Sequence, residues 1–223
     1  FYDRSLIEEY AAQVPGATVS HAILAICGEA MRAYLQSLGE LSVEPLQAML
    51  AINVRNAGAH ALIGNHIAVN QIALHTDMDF PLPRLQAICA THPELNNIET
   101  EELTSFRLRS LYENLPAPLL AWLGRNANSE NSVSRGVLSA GNCGVTEMTG
   151  SDKPLYLMGA RLLGFTGIPP LYSGCGLMFA ASTYCDRIGL TFVSDKTKVP
   201  DPRVLRRCLD EAVGQVAYFL KEN

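Results

Sequence analysis

Apolar residues first recur at a clear helical spacing from residue 18 onward. Val19, Ile23, Ile26, Ala30 and Ala33 form one stripe, and Leu24, Cys27, Met31 and Leu35 form a second. A helix apolar on two faces is predicted to lie buried between layers. Thr18 opens it and Gly39 ends it, giving a helix over residues 18–38. A shorter helix precedes it, with Ser5 as cap, Leu6, Ile7 and Tyr10 at helical spacing, and a break at Pro15-Gly16.

The pattern then alternates. Residues 46–54 read as a buried strand, and residues 64–74 as a second strand opened by Gly64-Asn65. Residues 76–83 read as a turn. Leu82, Leu85, Ile88 and Cys89 predict a helix ending near His92-Pro93, followed by a polar loop over 96–100. Helical spacing returns over 101–123, with Pro116 and Pro118 placed at a helix start or kink. The polar run 126–135 reads as a loop.

Strand patterns follow at 137–138, 143–148 and 155–159. Residues 177–184 and 188–193 are predicted to pair as a hairpin about Cys185-Asp186-Arg187. The last helix is capped by Asp201 with Pro202 in its first turn. Val204, Leu205, Cys208, Leu209, Ala212, Val213 and Val216 mark its apolar face. These elements predict an α/β fold of α+β type, with a partly antiparallel mixed sheet and packed helices.

Composition narrows the function. The chain has 223 residues, 48% of them apolar, and a net charge of −5. That length supports one sizeable α/β domain or two small ones. An acidic chain lacks the basic excess of a nucleic-acid binder. It also lacks the charge that draws proteins to anionic lipid. No apolar run approaches a membrane span. The chain starts at Phe1 without a charged, apolar leader, so no signal peptide is expected, and a piece of a longer polypeptide is.

The six cysteines, Cys27, Cys89, Cys143, Cys175, Cys185 and Cys208, mostly sit in apolar runs without C-x-x-C spacing. They are expected to be reduced, buried small hydrophobes of a cytoplasmic protein. His60 and His66 lack a third ligand at metal spacing, and His75 and His92 read as surface or turn residues. No phosphate loop, dinucleotide glycine pattern or nucleophile elbow occurs. The residues alone therefore predict a fold without a reaction.

Four stretches in order supply more. They are Thr18-Val19-Ser20-His21-Ala22-Ile23-Leu24-Ala25; Ala51-Ile52-Asn53-Val54-Arg55 with Gly64-Asn65; residues 145–156 continuing through Gly159-Ala160-Arg161-Leu162; and residues 182–202. Together they resemble the C-terminal half of the wax ester synthase/diacylglycerol acyltransferase family. The resemblance covers nearly the whole chain. It implies that residues 1–223 form one lobe of the two-lobed CoA-dependent acyltransferase fold. In that family the catalytic His-His-x-x-x-Asp-Gly motif lies in the N-terminal lobe, and no such motif occurs here.

The resemblance implies transfer of a fatty acyl group from acyl-CoA to diacylglycerol or a long-chain alcohol. Acyl-CoA is then a substrate, with no cofactor or metal. The partner is an N-terminal lobe carrying the histidine motif. This half alone is expected to be inactive and to supply the second wall of a substrate channel. Peripheral contact with a membrane or lipid-inclusion surface is left open.

Ser20, His21, Asn65, Thr146, Glu147 and Tyr184 are the channel residues implied by the matched motifs. The sequence departs from the family at several of them. Ser20-His21 replaces Asn-Asp, Thr146-Glu147 replaces Ser-Asn, and Met178 stands where Asn is frequent. His21, in the first turn of its helix, is expected neutral if buried, either lining the channel or bonding at the helix start. Thr146 either donates to a thioester or pantetheine group or is an ordinary strand threonine. Asn65 takes a buried structural or channel role, and Tyr184 reads as core or site. Glu147 must be exposed, or paired with a residue such as Arg55 or Arg161. A second function class stays open on these departures: a non-catalytic lobe that binds acyl chains or scaffolds a partner.

Overall fold

The protein is described here by a computed structural model covering residues 1–53, 67–96, 115–127, 141–171 and 175–222. Arg55, His60, Asn65, His66, the strand at 137–138 and the first part of the helix over 101–123 lie outside the described residues.

The long helix forms as its stripes require. It is α2, Val19–Leu38, after a shorter α1, Arg4–Ala12. Thr18 caps α2 in extended conformation, and Gly39 ends it at φ 71°, in the left-handed region that glycine enters without a Cβ clash. Asp3 rather than Ser5 stands at the cap position of α1. Among the described residues the remaining α-helices are α3 (Pro81–Thr91), α4 (Ala117–Ala127) and α5 (Pro202–Glu222). Pro116 and Pro118 fall at the start of α4, where a missing N–H costs least. Asp201 accepts the Arg203 N–H at 3.0 Å and so caps α5.

Six strands make one mixed sheet: β1 (Tyr2–Asp3), β2 (Gln47–Asn53), β3 (Ile67–Ala73), β4 (Cys143–Thr149), β7 (Leu177–Tyr184) and β8 (Arg187–Ser194). Their order is β1-β8-β7-β4-β2-β3. The central pairs β2/β4 and β4/β7 are parallel, while β1/β8, β7/β8 and β2/β3 are antiparallel. The hairpin β7–β8 turns at Cys185-Asp186, with Tyr184 opposite Arg187.

The segment 155–159 departs from expectation. It forms not one strand but a separate hairpin of β5 (Tyr156–Leu157) and β6 (Ala160–Arg161). Met158 (φ 50°) and Gly159 (φ 84°) both take positive φ, the signature of a two-residue type I′ turn.

Strand alternation sorts the sheet into two faces. Ala48, Leu50, Cys143, Val145, Leu177, Phe179, Ala181 and Ile188 join one core with buried residues of α1, α2, α3 and α5. The helix α2 packs against α1, α3 and α5 and is buried along residues 21–31, which accounts for its two apolar stripes. Phe179 and Phe192, opposite each other on β7 and β8, meet edge to face at 6.0 Å between centroids.

The other face carries Gly144, Thr146, Met148, Met178, Ala180 and Ser182. The segment after β6 lies against part of it. A Cβ on Gly167 would overlap the tip of Met148, and the Thr191 hydroxyl donates to the Gly167 carbonyl at 3.1 Å.

Candidate functional site

The parallel strands end on one side of the sheet, and in open α/β sheets ligands collect beyond such carboxyl ends. The first turn of α2 stands there, above the last residues of β4. Ser20 and Glu147, 127 positions apart in sequence, meet at that point. The Ser20 hydroxyl donates to Glu147 Oε2 at 2.7 Å.

His21 turns back on its own helix start. Its Nδ1 accepts the Thr18 backbone N–H at 3.0 Å and lies 2.7 Å from the Thr18 hydroxyl. Its Nε2 lies 3.1 Å from the His92 carbonyl. An N–H only donates and a carbonyl only accepts. The proton therefore sits on Nε2, and the ring closes a capping box while tying α2 to the end of α3. The side chain is fully buried. Of the two roles expected for His21, the geometry displays the helix-start bond.

Glu147 is half-buried rather than exposed, and among the described residues it has no ion-pair partner, Arg55 lying outside them. Arg161 sits exposed on β6, and among the described residues the hydrogen bond of the carboxyl goes to Ser20. The reason is positional: Glu147 follows Cys143 and Val145 at a spacing of two and so faces the helices. Its second oxygen, Oε1, is enclosed and has no hydrogen-bond partner among the described residues. Burial raises this carboxyl above its ordinary value, and the Ser20 bond opposes the shift.

The sign of the consequence follows. A carboxyl raised in the folded state holds its proton more tightly there than in the unfolded chain. It therefore favours folding at acid pH, and that contribution fades as pH rises through the raised value. Glu147→Gln keeps the shape and removes the titration. It is expected to raise the melting temperature at about pH 8 and change it little at about pH 3, below the ordinary carboxylate range. Equal shifts at both pH values would sink this account.

Thr146 and Glu147, adjacent in sequence, point to opposite faces. Thr146 stands between Ala51 of β2 and Ala180 of β7, half-buried on the face away from the helices. One step along that face is Ser182, opposite Met148 in register. Its hydroxyl is buried and unbonded among the described residues. The sequence reading missed Ser182, because a serine in a strand gives no sign of its burial.

Tyr184 closes the end of β7. Its hydroxyl accepts the Leu155 N–H at 2.7 Å, and its ring meets Phe165 edge to face at 6.2 Å. It anchors the base of the β5–β6 hairpin. The six expected residues thus fall into three places, with Asn65 outside the described residues. Ser20 and Glu147 are joined, His21 is beside them but turned away, and Thr146 and Tyr184 lie on the far face.

The remaining reactive groups are subdued or structural. Burial pushes the Cys143 thiol up to about 12 and the Cys27 thiol well above its ordinary value, so neither supplies a thiolate near neutral pH. All six cysteines are free, four of them buried. Among the described residues no three His, Cys, Asp or Glu side chains converge as a metal site. His75 is half-buried and opens the turn after β3, its carbonyl accepting the Met78 N–H at 3.1 Å and Arg84 Nε at 3.1 Å. No helix among the described residues is long and apolar enough to cross a membrane.

Comparison with known proteins places this geometry. A family model described as the WS/DGAT C-terminal domain matches residues 63–216. The O-acyltransferase WSD of Acinetobacter baylyi is 26% identical over 196 residues, covering 88% of this chain and 41% of that protein. A probable diacylglycerol O-acyltransferase of Mycobacterium tuberculosis is 24% identical over 209 residues, covering 92% and 43%. Among solved structures, the wax ester synthase/diacylglycerol acyltransferase of Marinobacter aquaeolei VT8 superposes with a TM-score of 0.63 at 19% identity, over 96% of this chain and 46% of that one. That likeness shows the fold, a mixed α/β lobe of the acyltransferase type. The chain spans less than half the length of the curated relatives it matches. With that domain matched over most of its residues, the chain belongs to the WS/DGAT acyltransferase family.

Proposed function

We propose that residues 1–223 act as the C-terminal lobe of an O-acyltransferase that moves a fatty acyl group from acyl-CoA to diacylglycerol or a long-chain alcohol. The observation that carries the reading is the C-terminal domain match over residues 63–216. The general base is then a histidine of an N-terminal lobe with a His-His-x-x-x-Asp-Gly motif. It takes the alcohol proton as the oxygen attacks the thioester carbonyl. The C–O bond forms, the C–S bond breaks, and the proton passes to the leaving CoA thiolate. Acyl-CoA enters as substrate, and the chemistry needs no metal or prosthetic group.

This lobe shelters the reaction from water, and its polar groups position the reactants. Thr146, whose hydroxyl faces away from the helices, is the donor for a thioester or pantetheine oxygen. Ser20, His21 and Glu147 hold the start of α2 in place at the channel's edge, and Tyr184 fixes the segment that crosses beneath it. Substrates this apolar place the work inside the cell at the surface of a membrane or lipid inclusion.

The test uses the full-length protein with palmitoyl-CoA and either 1-hexadecanol or dipalmitoylglycerol. Release of free thiol that depends on the alcohol supports the enzyme. One observation favours the second reading, a non-catalytic acyl-binding or scaffolding lobe: Ser20 and His21 spend their polar groups on internal bonds. Acyl-CoA binding without thiol release would establish that reading instead.

Thr146→Val removes the hydroxyl and keeps the volume and the strand propensity. Turnover is expected to fall roughly tenfold or more, the scale of losing one transition-state hydrogen bond. The melting temperature should stay within a degree or two, since among the described residues no bond of that hydroxyl supports the fold. Unchanged turnover would remove Thr146 from the mechanism.

A further inference from the structure

On the sheet face away from the helices, large and small side chains alternate by rung. Residues side by side on neighbouring strands share a face, so Ala51 of β2, Thr146 of β4 and Ala180 of β7 form one rung of small side chains. The rungs on either side carry methionine. Met178 stands opposite Gly144 on one, and Met148 opposite Ser182 on the other. Thr146 therefore lies at the floor of a slot between two thioether side chains, each one rung away, about 7 Å along the strand. An alkyl chain resting on the Thr146 rung would touch both.

Both walls are seated. A Cβ at Gly144 would stand 1.9 Å from Met178 Sδ, so the glycine is what lets that side chain lie across β4. A Cβ at Gly167 would stand 2.0 Å from Met148 Cε and 3.7 Å from the Ala180 Cβ. The Gly167 carbonyl is held in turn by the Thr191 hydroxyl at 3.1 Å, and Thr191 is the partner of Ala180 on β8. Methionine is an adaptable core side chain, but a tip seated against fixed backbone has little room to yield. The same contacts shut the slot on the β7 side, where Ala180 is fully buried, while Ala51 and Thr146 stay half-buried on the other.

Chemistry selects the occupant. Ala51, Ala180, Met148 and Met178 surround Thr146 with apolar atoms, and its hydroxyl is the polar group at the centre. An anionic, polar CoA moiety has no counterpart in such a slot. An acyl carbonyl with its alkyl chain has a donor for the oxygen and apolar walls for the chain. Met178 stands where asparagine is frequent in the family, so that wall is apolar in this chain.

We propose that Met148 and Met178 are specificity-determining residues, which restrict the slot at Thr146 to an unbranched acyl chain and exclude a thioester branched at the carbon next to its carbonyl. The inference rests on the acyltransferase reading given above, with the thioester oxygen at Thr146. A methyl group on that carbon must push one methionine tip off its glycine seat.

The experiment measures binding of palmitoyl-CoA and of 2-methylpalmitoyl-CoA to the full-length protein by calorimetry, without an acceptor alcohol. The unbranched thioester is expected to bind roughly tenfold tighter or more, the scale of one misplaced methyl group in a shaped pocket. Met148→Ala and Met178→Ala should each bring the ratio of the two affinities close to one, and Met148→Leu, which keeps the bulk, should preserve it. Gly167→Ala tests the same wall from the other side: it pushes the Met148 tip toward Thr146 and should widen the preference. It decides the matter if an alanine variant at either methionine fails to fold. Three results would overturn the slot: equal affinities in the unaltered protein; an unchanged ratio in the variants, whether or not both affinities fall together; or no binding of either thioester. Thiol release separates the two proposals. A protein that discriminates as expected but releases no thiol keeps the slot and loses the enzyme. One that binds both thioesters equally well and releases thiol from both at equal rates keeps the enzyme and loses the slot.

Discussion

Replacing Glu29 with alanine is expected to cost the folded protein about 3–5 kcal/mol, the loss seen when one partner of a buried ion pair is removed. Arg84 is completely buried, and Glu29 nearly so. The guanidinium donates to Glu29 of α2, to the His75 carbonyl at 3.1 Å and to the Met78 carbonyl. It thereby ties α3 to α2 and to the turn after β3. Arg32 adds a bond to the Thr76 carbonyl at 2.6 Å and an ion pair with Asp79. Without Glu29, a cation remains enclosed with only carbonyl dipoles around it. A loss of that size is a large share of a typical domain's roughly 5–15 kcal/mol. Urea titration measures it. The double variant Glu29→Leu with Arg84→Met should recover part of the loss, because no charge is left buried. Recovery stays incomplete, since the two carbonyls lose their donor. A Glu29→Ala loss below about 1 kcal/mol, the scale of an exposed pair, would show that the pair is hydrated and the account mistaken.

Gly28→Ala is expected to destabilise the protein by about 2 kcal/mol, although alanine is the better helix former by about 1 kcal/mol. A Cβ at Gly28 would stand 2.4 Å from the Leu74 carbonyl oxygen and 3.1 Å from Arg84 Cδ. The oxygen belongs to backbone held by the Leu74 N–H bond to Leu46, so it cannot step aside cheaply. Relief requires α2 to move off the sheet end, which also loosens the Glu29–Arg84 contact. The comparison is Gly214→Ala in α5, where a Cβ meets nothing within 4 Å. There the propensity term acts alone, and stability should rise by about 0.5–1 kcal/mol. Thermal melts of the two variants should therefore move in opposite directions. A stabilised Gly28→Ala protein would mean that α2 lies farther from the sheet than described.

Both predictions concern features that carried a faint signal along the chain. Glu29 interrupts the apolar run from Ala22 to Met31, and Arg84 sits among Leu82, Leu85 and Ile88. A charge on a face meant for the core asks for a partner. Which partner, 55 residues away, depends on how α2 and α3 cross.

The same limit applies to the candidate site. Placing Thr146 and Glu147 on one channel wall overlooked the period of a strand, which sends neighbours to opposite faces. The sequence held that information, since Cys143, Val145 and Glu147 share one parity. The destination of Glu147 did not follow, because Ser20 meets it only after α2 is laid across the sheet. The 155–159 segment departs from a single strand for a local reason: two positive-φ residues at Met158-Gly159 fold it into two short strands.

The elements themselves were legible wherever short-range physics decides them. The two stripes, Thr18 and Gly39 specified α2; Asp201, Pro202 and the Leu205-to-Val216 repeat specified α5; and alternation specified the β7–β8 hairpin, residue for residue in β7. Each depends on backbone geometry and on side chains within about two turns. Strand order, the meeting of Ser20 with Glu147, the burial of Arg84 and the seating of Met178 on Gly144 all depend on segments far apart in sequence. Contacts of that kind have no local period to announce them; they exist only once packing has chosen which surfaces exclude water together.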